Sequence, residues 1–424
     1  MIFIVVALLC VGQQPKEAHD ATRRIRLGFT IFPEKTGHHQ GEGSRAALIE
    51  GTLSKPSVRL LNLPHVPAGT TFARWLRDGS IIVLSTRIKT GNFGSTDSFV
   101  VDPNNGKVLS CLTCSMPKTT NGDFVYNEAP EPVYDVQKPN VVRSFFFTTH
   151  YGPLRHEDID VGSYNQMWKV KPDGKHPKQA LEFHVGPHGC QVSPNGEWFA
   201  CESCTQDLSR PDPCKGPSEF CQGIVVTKVA PVEGGVHGTA CIGHASQWLP
   251  HGVVVWRLDS KGFLYFSQKD EAHPVPYWWN YYDMSLFTEG RYQPTKTIAD
   301  GVITRESPAW GKCKTISICN PWLYFTAAYT PTGSSEKIKI ISRMTLNDPT
   351  RLDRLTDKLG QDAGPPAISA DGSMIAFLSG SRRGTNTRGS QVWVFDIASK
   401  KLYQLTDFPA ESEALAYSVS WPAE

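Results

Sequence analysis

The 424-residue chain carries almost no net charge, with 43 lysines and arginines against 41 aspartates and glutamates. Without an excess of basic residues, no overall field draws the chain to a nucleic acid, and we expect no nucleic-acid partner. The sequence also has no N-x-[ST] sequon, so we do not expect N-glycosylation. We expect the partner to be a small-molecule or oligosaccharide substrate.

An apolar run long enough to cross a bilayer is missing as well. The run from Ile2 to Val11 reaches only about half of the ~20 residues that a transmembrane helix needs. A short run at this place is typical of a secretory signal peptide. We therefore predict a signal within residues 1–20, secretion of the remainder, and no stable insertion into a membrane.

Cysteine is present in an even number once Cys10, inside the apolar run, is set aside. The other ten stand at positions 111, 114, 190, 201, 204, 214, 221, 241, 313 and 319. An even number in a secreted chain is typical of disulfide bonds, and up to five are predicted. The pairs Cys111/Cys114 and Cys201/Cys204 also have the C-x-x-C spacing of zinc ligands, so a zinc site is the alternative.

The stretch HGCQVSPNGEWFAC predicts a hairpin with a defined register. The residues Ser-Pro-Asn-Gly at 193–196 favour a tight turn, and apolar residues alternate on both sides of it. A reversal there puts Cys190 opposite Cys201, at a Cβ separation of ~4.5–5.5 Å, which is close to disulfide reach. We predict a disulfide between them, and a second one between Cys313 and Cys319, which are near each other in the chain.

The same unit, an apolar strand, a polar turn ending in glycine and an apolar strand, recurs along the chain. It is present at 74–86, 256–268 and 367–380. Two further strands joined by another turn follow several of these units, as in SFVVDPNNGKVLSCL. The repeating unit is thus four short antiparallel strands, and it recurs about every 45 to 60 residues. This pattern indicates propeller blades. We predict an all-β, seven-bladed β-propeller over 24–422, with six blades as the alternative.

Six of the predicted blades follow one another, and the seventh combines the two ends of the chain. The six are 71–114, 128–181, 184–242, 253–299, 303–357 and 364–407. Three strands within 24–63 and one at 417–422 then remain. Pairing them would close the ring and leave no free sheet edge.

Three segments carry a resemblance to a known family: SPNGEWFA, SADGSMIAF and KKLYQLTD. They resemble the TolB-like β-propeller repeat, which also occurs in the propeller domains of prolyl-oligopeptidase-type peptidases. The resemblance extends over nearly all of 24–422 and implies the fold rather than a function. The sequence has no G-x-S-x-G elbow, so we do not expect the peptidase activity.

One face of such a propeller gathers residues suited to chemistry. The loops entering the first strand of each blade, and those between the second and third strands, share this face around the central channel, and loops on a rigid scaffold commonly carry function. We assign His188, His150 and Tyr151 as catalytic candidates. The candidates for substrate binding are Arg87, Arg305, Glu306, His273, Tyr277, Trp278, Arg382 and Arg383.

These residue types suit an anionic, ring-shaped substrate. Arginine binds carboxylates through two parallel hydrogen bonds, aromatic faces stack on sugar rings, and histidine transfers protons near neutral pH. We predict a lyase that cleaves uronic-acid glycans or glucuronides by β-elimination, similar in plan to secreted propeller polysaccharide lyases. No cofactor is assigned; a divalent metal ion bound through His38 and His39 is one option.

Three other functions remain open at this point. A TolB-like binding propeller would use the same face to recognise a protein without catalysis. An enzyme of secondary metabolism would use it to dehydrate or cyclise a small substrate. A glycoside hydrolase needs two carboxylates flanking the bond; Glu131, Glu271 and Glu306 are the candidates, and no two of them make an evident pair.

Overall fold

A computed structural model describes most of the chain between residues 21 and 422. The described residues are 21–32, 44–67, 69–88, 94–116, 125–127, 129–135, 137–151, 164–179, 186–204, 223–229, 240–242, 249–268, 277–288, 290–291, 296–298, 309–310, 313–315, 318–319, 322–380, 390–408, 413–414 and 419–422. The signal predicted at 1–20 lies outside them.

The described residues form thirty-one strands and one short helix. In chain order the strands are β1 (Arg24–Phe32), β2 (Arg45–Thr52), β3 (Lys55–Leu60), β4 (Thr70–Trp75), β5 (Ile81–Ile88), β6 (Gly94–Val101), β7 (Val108–Cys111), β8 (Val125–Asn127), β9 (Glu131–Tyr134), β10 (Val142–Tyr151), β11 (Tyr164–Val170), β12 (Lys178–Gln179), β13 (Gly186–Val192), β14 (Trp198–Cys204), β15 (Gly223–Lys228), β16 (Ala240–Ile242), β17 (Leu249–Trp256), β18 (Gly262–Gln268), β19 (Tyr277–Asp283), β20 (Lys296–Ile298), β21 (Ala309–Trp310), β22 (Cys313–Thr315), β23 (Ile318–Cys319), β24 (Trp322–Tyr329), β25 (Ile338–Thr345), β26 (Asp348–Arg354), β27 (Ala367–Ile368), β28 (Met374–Ser379), β29 (Gln391–Asp396), β30 (Lys401–Gln404) and β31 (Glu413–Ala414). The helix α1 (Ser285–Thr288) follows β19, and a 3₁₀ turn (Asp357–Leu359) follows β26.

Hydrogen bonds group these strands into seven antiparallel sheets of four or five strands. Sheet 1 has the order β4-β5-β6-β7, sheet 3 β13-β14-β15-β16, sheet 4 β17-β18-β19-β20, sheet 5 β21-β24-β25-β26 and sheet 6 β27-β28-β29-β30. In sheet 2 the order is β12-β11-β10, with β8 and β9 both paired to β10, and in sheet 7 it is β31-β1-β2-β3. The strands β22 and β23 form a separate hairpin. The predicted all-β propeller is confirmed. Most strands lie within the ranges predicted for the blades, whereas β8, β31 and the first residues of β17 lie outside them.

The turn after the first strand has the same construction in sheets 3 and 6. In sheet 3, the backbone N–H of Trp198 donates to Ser193 Oγ at 3.0 Å, and Gly196 adopts a φ of 72°. In sheet 6, the N–H of Met374 donates to Ser369 Oγ at 2.9 Å, and Gly372 has the same φ. A side-chain hydroxyl therefore ties each turn to the next strand, and glycine supplies the positive φ at no steric cost.

Among the described residues, seven apolar clusters fill the space between neighbouring sheets. One cluster joins sheets 1 and 2, and the others join sheets 2 and 3, 3 and 4, 4 and 5, 5 and 6, 6 and 7, and 7 and 1. The second strands consequently have apolar neighbours on both faces, and every residue of β28 is buried. Outer strands such as β3 keep a largely exposed pattern.

The carboxyl-terminal residues pair with β1, as predicted. Gly28 and Ser420 exchange two backbone hydrogen bonds of 2.9 Å, and β31 pairs with the end of β1 through Ile31–Ala414 and Phe32–Glu413. The pairing thus begins upstream of the predicted strand at 417–422. None of the helices among the described residues has the length and apolarity needed to span a membrane.

Candidate active site

The two ends of each described sheet differ in the strands that are connected there. We call the end at which the second strand leads into the third the mouth end, and the other the turn end. Turn ends of neighbouring sheets lie together: the N–H of Asn195 donates to Ser260 Oγ at 2.9 Å, and the Arg77 guanidinium lies 4.1 Å from the centre of the Tyr134 ring. The mouth ends of neighbouring sheets therefore share one side as well.

Six of the predicted site residues lie at mouth ends. Arg87 is the penultimate residue of β5, His150 and Tyr151 end β10, His188 is the third residue of β13, and Tyr277 and Trp278 begin β19. Backbone pairing defines each position: His150 is opposite Asn165, His188 opposite Glu202, and Trp278 opposite Ser267. The other predicted residues lie outside the described part of the chain: Arg305, Glu306, His273, Arg382, Arg383, His38 and His39.

A β-bulge follows His188 in the first strand of sheet 3. Between the pairs His188–Glu202 and Gln191–Ala200, two residues of β13 oppose the single residue Cys201 of β14. Bulges of this kind bend a strand and are frequent next to active sites. His188 thus stands where the regular ladder of the strand is interrupted.

The first strand of sheet 4 has the same feature after His251, a residue that was not predicted from the sequence to belong to the site. There, three residues of β17 oppose the single residue Tyr265, between the pairs His251–Phe266 and Val255–Leu264. The extra residue displaces His251 by one position when blades are aligned on their turns, which explains why it was missed. The signal that could have found it is the tripeptide Pro-His-Gly, present at 187–189 and again at 250–252.

An ion pair joins the first strands of sheets 1 and 2. Nη1 and Nη2 of Arg74 each donate to one oxygen of the Glu131 carboxylate, Nη1 at 2.6 Å. Burial by itself would lower the pKa of Arg74, but the Glu131 charge and hydrogen bonds raise it above its usual value, so Arg74 stays protonated. Because both Glu131 oxygens are engaged, Glu131 is poorly suited to the role of a hydrolase acid that the sequence left open.

Removal of the Glu131 charge should destabilise the fold. The two side chains are only 28% and 13% exposed, and an uncompensated charge in such a place costs about 3 kcal/mol. We expect Glu131→Gln to lower the melting temperature, measured by circular dichroism. The matched control is Glu50→Gln, at a more exposed ion pair with Arg26 and Arg59, where a loss below about 1 kcal/mol is expected. Equal losses in both variants would contradict this structural role of Glu131.

Two disulfides are formed among the described residues. Cys190 is bonded to Cys201, with Cα atoms 4.1 Å apart, as predicted, and Cys111 is bonded to Cys114. Disulfide sulfurs are not thiolate ligands, so these bonds argue against zinc at either C-x-x-C pair. Cys313 is opposite Cys319 in the β22–β23 hairpin, and the disulfide between them stays a prediction.

A cavity lies at the turn end, away from the predicted site residues that the structure describes. It has a volume of about 610 Å³ and is lined in part by Arg23, Arg26, Glu50 and Trp421. Arg23 is paired with Asp371. Burial opposes ionisation of Glu50, but hydrogen bonds and charges from Arg59 and Arg26 prevail and lower the pKa of its carboxyl. The charges of these residues are thus largely neutralised within the protein.

The sheet order and the packing of each sheet against two others define the protein as a β-propeller. No protein-family model matches the sequence, and no curated protein is significantly similar to it. Comparison with solved structures gives propeller proteins. With puromycin hydrolase the TM-score is 0.52 at 11% identity, over 92% of this chain and 55% of that chain, so the chain spans about half the length of that protein.

Two further similarities extend over most of both chains. TolB from Acinetobacter baumannii matches with a TM-score of 0.40 and 11% identity, over 91% of this chain and 81% of its own. An oligogalacturonate lyase in complex with manganese matches with a TM-score of 0.44 and 11% identity, over 80% and 75%. At these identities the similarities concern the fold alone.

Proposed function

We propose that the protein is an extracytoplasmic carbohydrate-active enzyme, a lyase that cleaves uronic-acid glycans or glucuronides by β-elimination. One observation carries the proposal: the mouth ends of three successive sheets bear residue types that bind carboxylates and transfer protons. These are Arg87 in sheet 1, His150 and Tyr151 in sheet 2, and His188 in sheet 3. A bare binding surface has no need of such proton-transfer groups.

The reaction assigns a task to each type of residue. Arginine neutralises the uronate carboxylate, which makes the neighbouring C5–H bond more acidic. A base, His188 or Tyr151, removes that proton, the C4–O bond breaks, and a C4=C5 double bond forms. A second residue returns a proton to the leaving oxygen. Aromatic residues such as Tyr277 and Trp278 suit stacking against the sugar ring.

The covalent chemistry supports the proposed extracytoplasmic location. Disulfides persist in oxidising surroundings and are rare in the cytosol. The bonds Cys111–Cys114 and Cys190–Cys201 therefore favour a location outside the cytoplasm, and the apolar run from Ile2 to Val11 is consistent with export.

The experiment is a panel of polyuronates and 4-O-substituted glucuronides incubated with the whole protein. We expect an ultraviolet absorbance increase from the unsaturated uronate that β-elimination leaves. New reducing ends without that absorbance would identify a hydrolase instead. Binding by calorimetry with no turnover would favour a non-catalytic propeller. Repeating the assay with a chelator, then with manganese or calcium restored, tests for a metal requirement.

A further inference from the structure

The tripeptide Pro-His-Gly occurs in the first strands of two adjacent sheets. It lies at 187–189 in β13 and at 250–252 in β17. Proline is tolerated in these strands because each is at the edge of its sheet, and the glycine begins the stretch that bulges. The local sequence thus builds the same interrupted strand twice, with a histidine just before each interruption.

The two histidines have the same register position in their sheets, counted along the second strand from the turn end. His188 is opposite Glu202, three residues beyond Phe199, the partner of Val192 at the turn end. His251 is opposite Phe266, three residues beyond Phe263, the partner of Trp256 at the turn end. The larger bulge in β17 compensates for the longer spacing to its turn. This correspondence is visible only in the strand register.

The two strands are direct neighbours. The indole N–H of Trp256 in β17 donates to the backbone carbonyl of Gln191 in β13 at 3.1 Å. In the same region, Val254 packs in one cluster with Ala200 of sheet 3. The first strands of sheets 3 and 4 therefore lie side by side across the boundary between the two sheets.

We propose that His188 and His251 together form the proton-transfer pair of the site, one removing the C5 proton and the other protonating the leaving oxygen. The assignment rests on the proposed lyase function for its chemistry, and on the strand register for its geometry. A β-elimination needs two proton-transfer groups, and two histidine residues at matching register positions of neighbouring strands supply both. His251 replaces His150 and Tyr151, which were predicted from the sequence, as the second proton-transfer group.

The test combines nuclear magnetic resonance titration of the imidazoles with turnover, using His188→Asn, His251→Asn and the double variant. Two protonated imidazoles that share a site repel each other, so removing one should raise the pKa of the other by about 0.5 or more. Each single variant should lose ~10²-fold in turnover, and the double variant should lose much less than the product of the two. The matched control is His176→Asn, at an exposed turn-end position with a φ of 54° that asparagine tolerates.

The outcomes separate the pair from the proposed reaction. If replacing either histidine leaves the pKa of the other unchanged, the pair does not exist, whatever the glycan panel gives. If the pKa values are coupled but no uronate is cleaved, the pair stands and the lyase function fails. Full turnover by folded His251→Asn, with cleavage by the wild type, would overturn the assignment of His251. Should one variant not fold, the reciprocal variant still reports the coupling.

Discussion

Deletion of residues 417–424 should lower the stability of the whole propeller by about 5 kcal/mol. The deletion removes the two hydrogen bonds between Ser420 and Gly28, worth about 1 kcal/mol each. It also removes the indole bond from Trp421 to the Ala367 carbonyl at 3.0 Å and the acceptor of the Trp75 indole at 3.2 Å. Trp421 also packs against the cluster between sheets 6 and 7, and losing this packing adds about 2 to 3 kcal/mol to the loss of stability.

The effect is measured as a shift in melting temperature. For a chain of this length the expected loss corresponds to a fall of about 5 °C. Deletion of residues 423–424 alone retains every contact named above and serves as the control. A full truncation that melts at the wild-type temperature would show that the carboxyl-terminal pairing with β1 contributes nothing to stability.

Replacement of His188 by alanine is expected to reduce turnover by ~10²-fold or more, the usual contribution of a general acid or base. The melting temperature should change little, because the first strand is an edge strand and its turn is stabilised by Ser193 rather than by the histidine. Turnover is followed on whichever uronate the panel identifies.

Added imidazole provides the control for this variant. Free imidazole should restore part of the activity of His188→Ala and leave the wild type unaffected, since it replaces the missing proton-transfer group. A variant that melts several degrees lower, keeps full turnover and ignores imidazole would make His188 a structural residue.

Much of the fold could be predicted from the sequence, because the patterns that indicate it are local. The Ser-Pro-Asn-Gly turn sets the register beside it, so the opposition of Cys190 and Cys201 could be predicted from a count of residues, and the disulfide is formed. Repetition of that unit likewise predicted a propeller and the approximate ranges of its sheets. The second unit departs from the common pattern, because the position of its first strand is divided between β8 and β9.

Less of the candidate site could be predicted from the sequence. A count of residues assumes a regular ladder, and a bulge breaks that assumption without changing the residue types around it. For this reason His251 was not aligned with His188, although both follow a proline and precede a glycine. The pairing of Arg74 with Glu131 was equally hidden, since it joins residues 57 positions apart in different sheets.

By itself, then, the sequence determined the strand-turn-strand unit, its repetition and the disulfide beside one turn, because each depends on residues within about one hairpin. Only the tertiary structure decided which edge strands are neighbours, how many residues bulge from each, and which charges meet between sheets. Those features depend on the packing of whole sheets against one another, where apolar area is buried without regard to position along the chain. The carboxyl-terminal pairing with β1 involves both: the strand pattern predicted it, and sheet packing set its start at Glu413–Ala414.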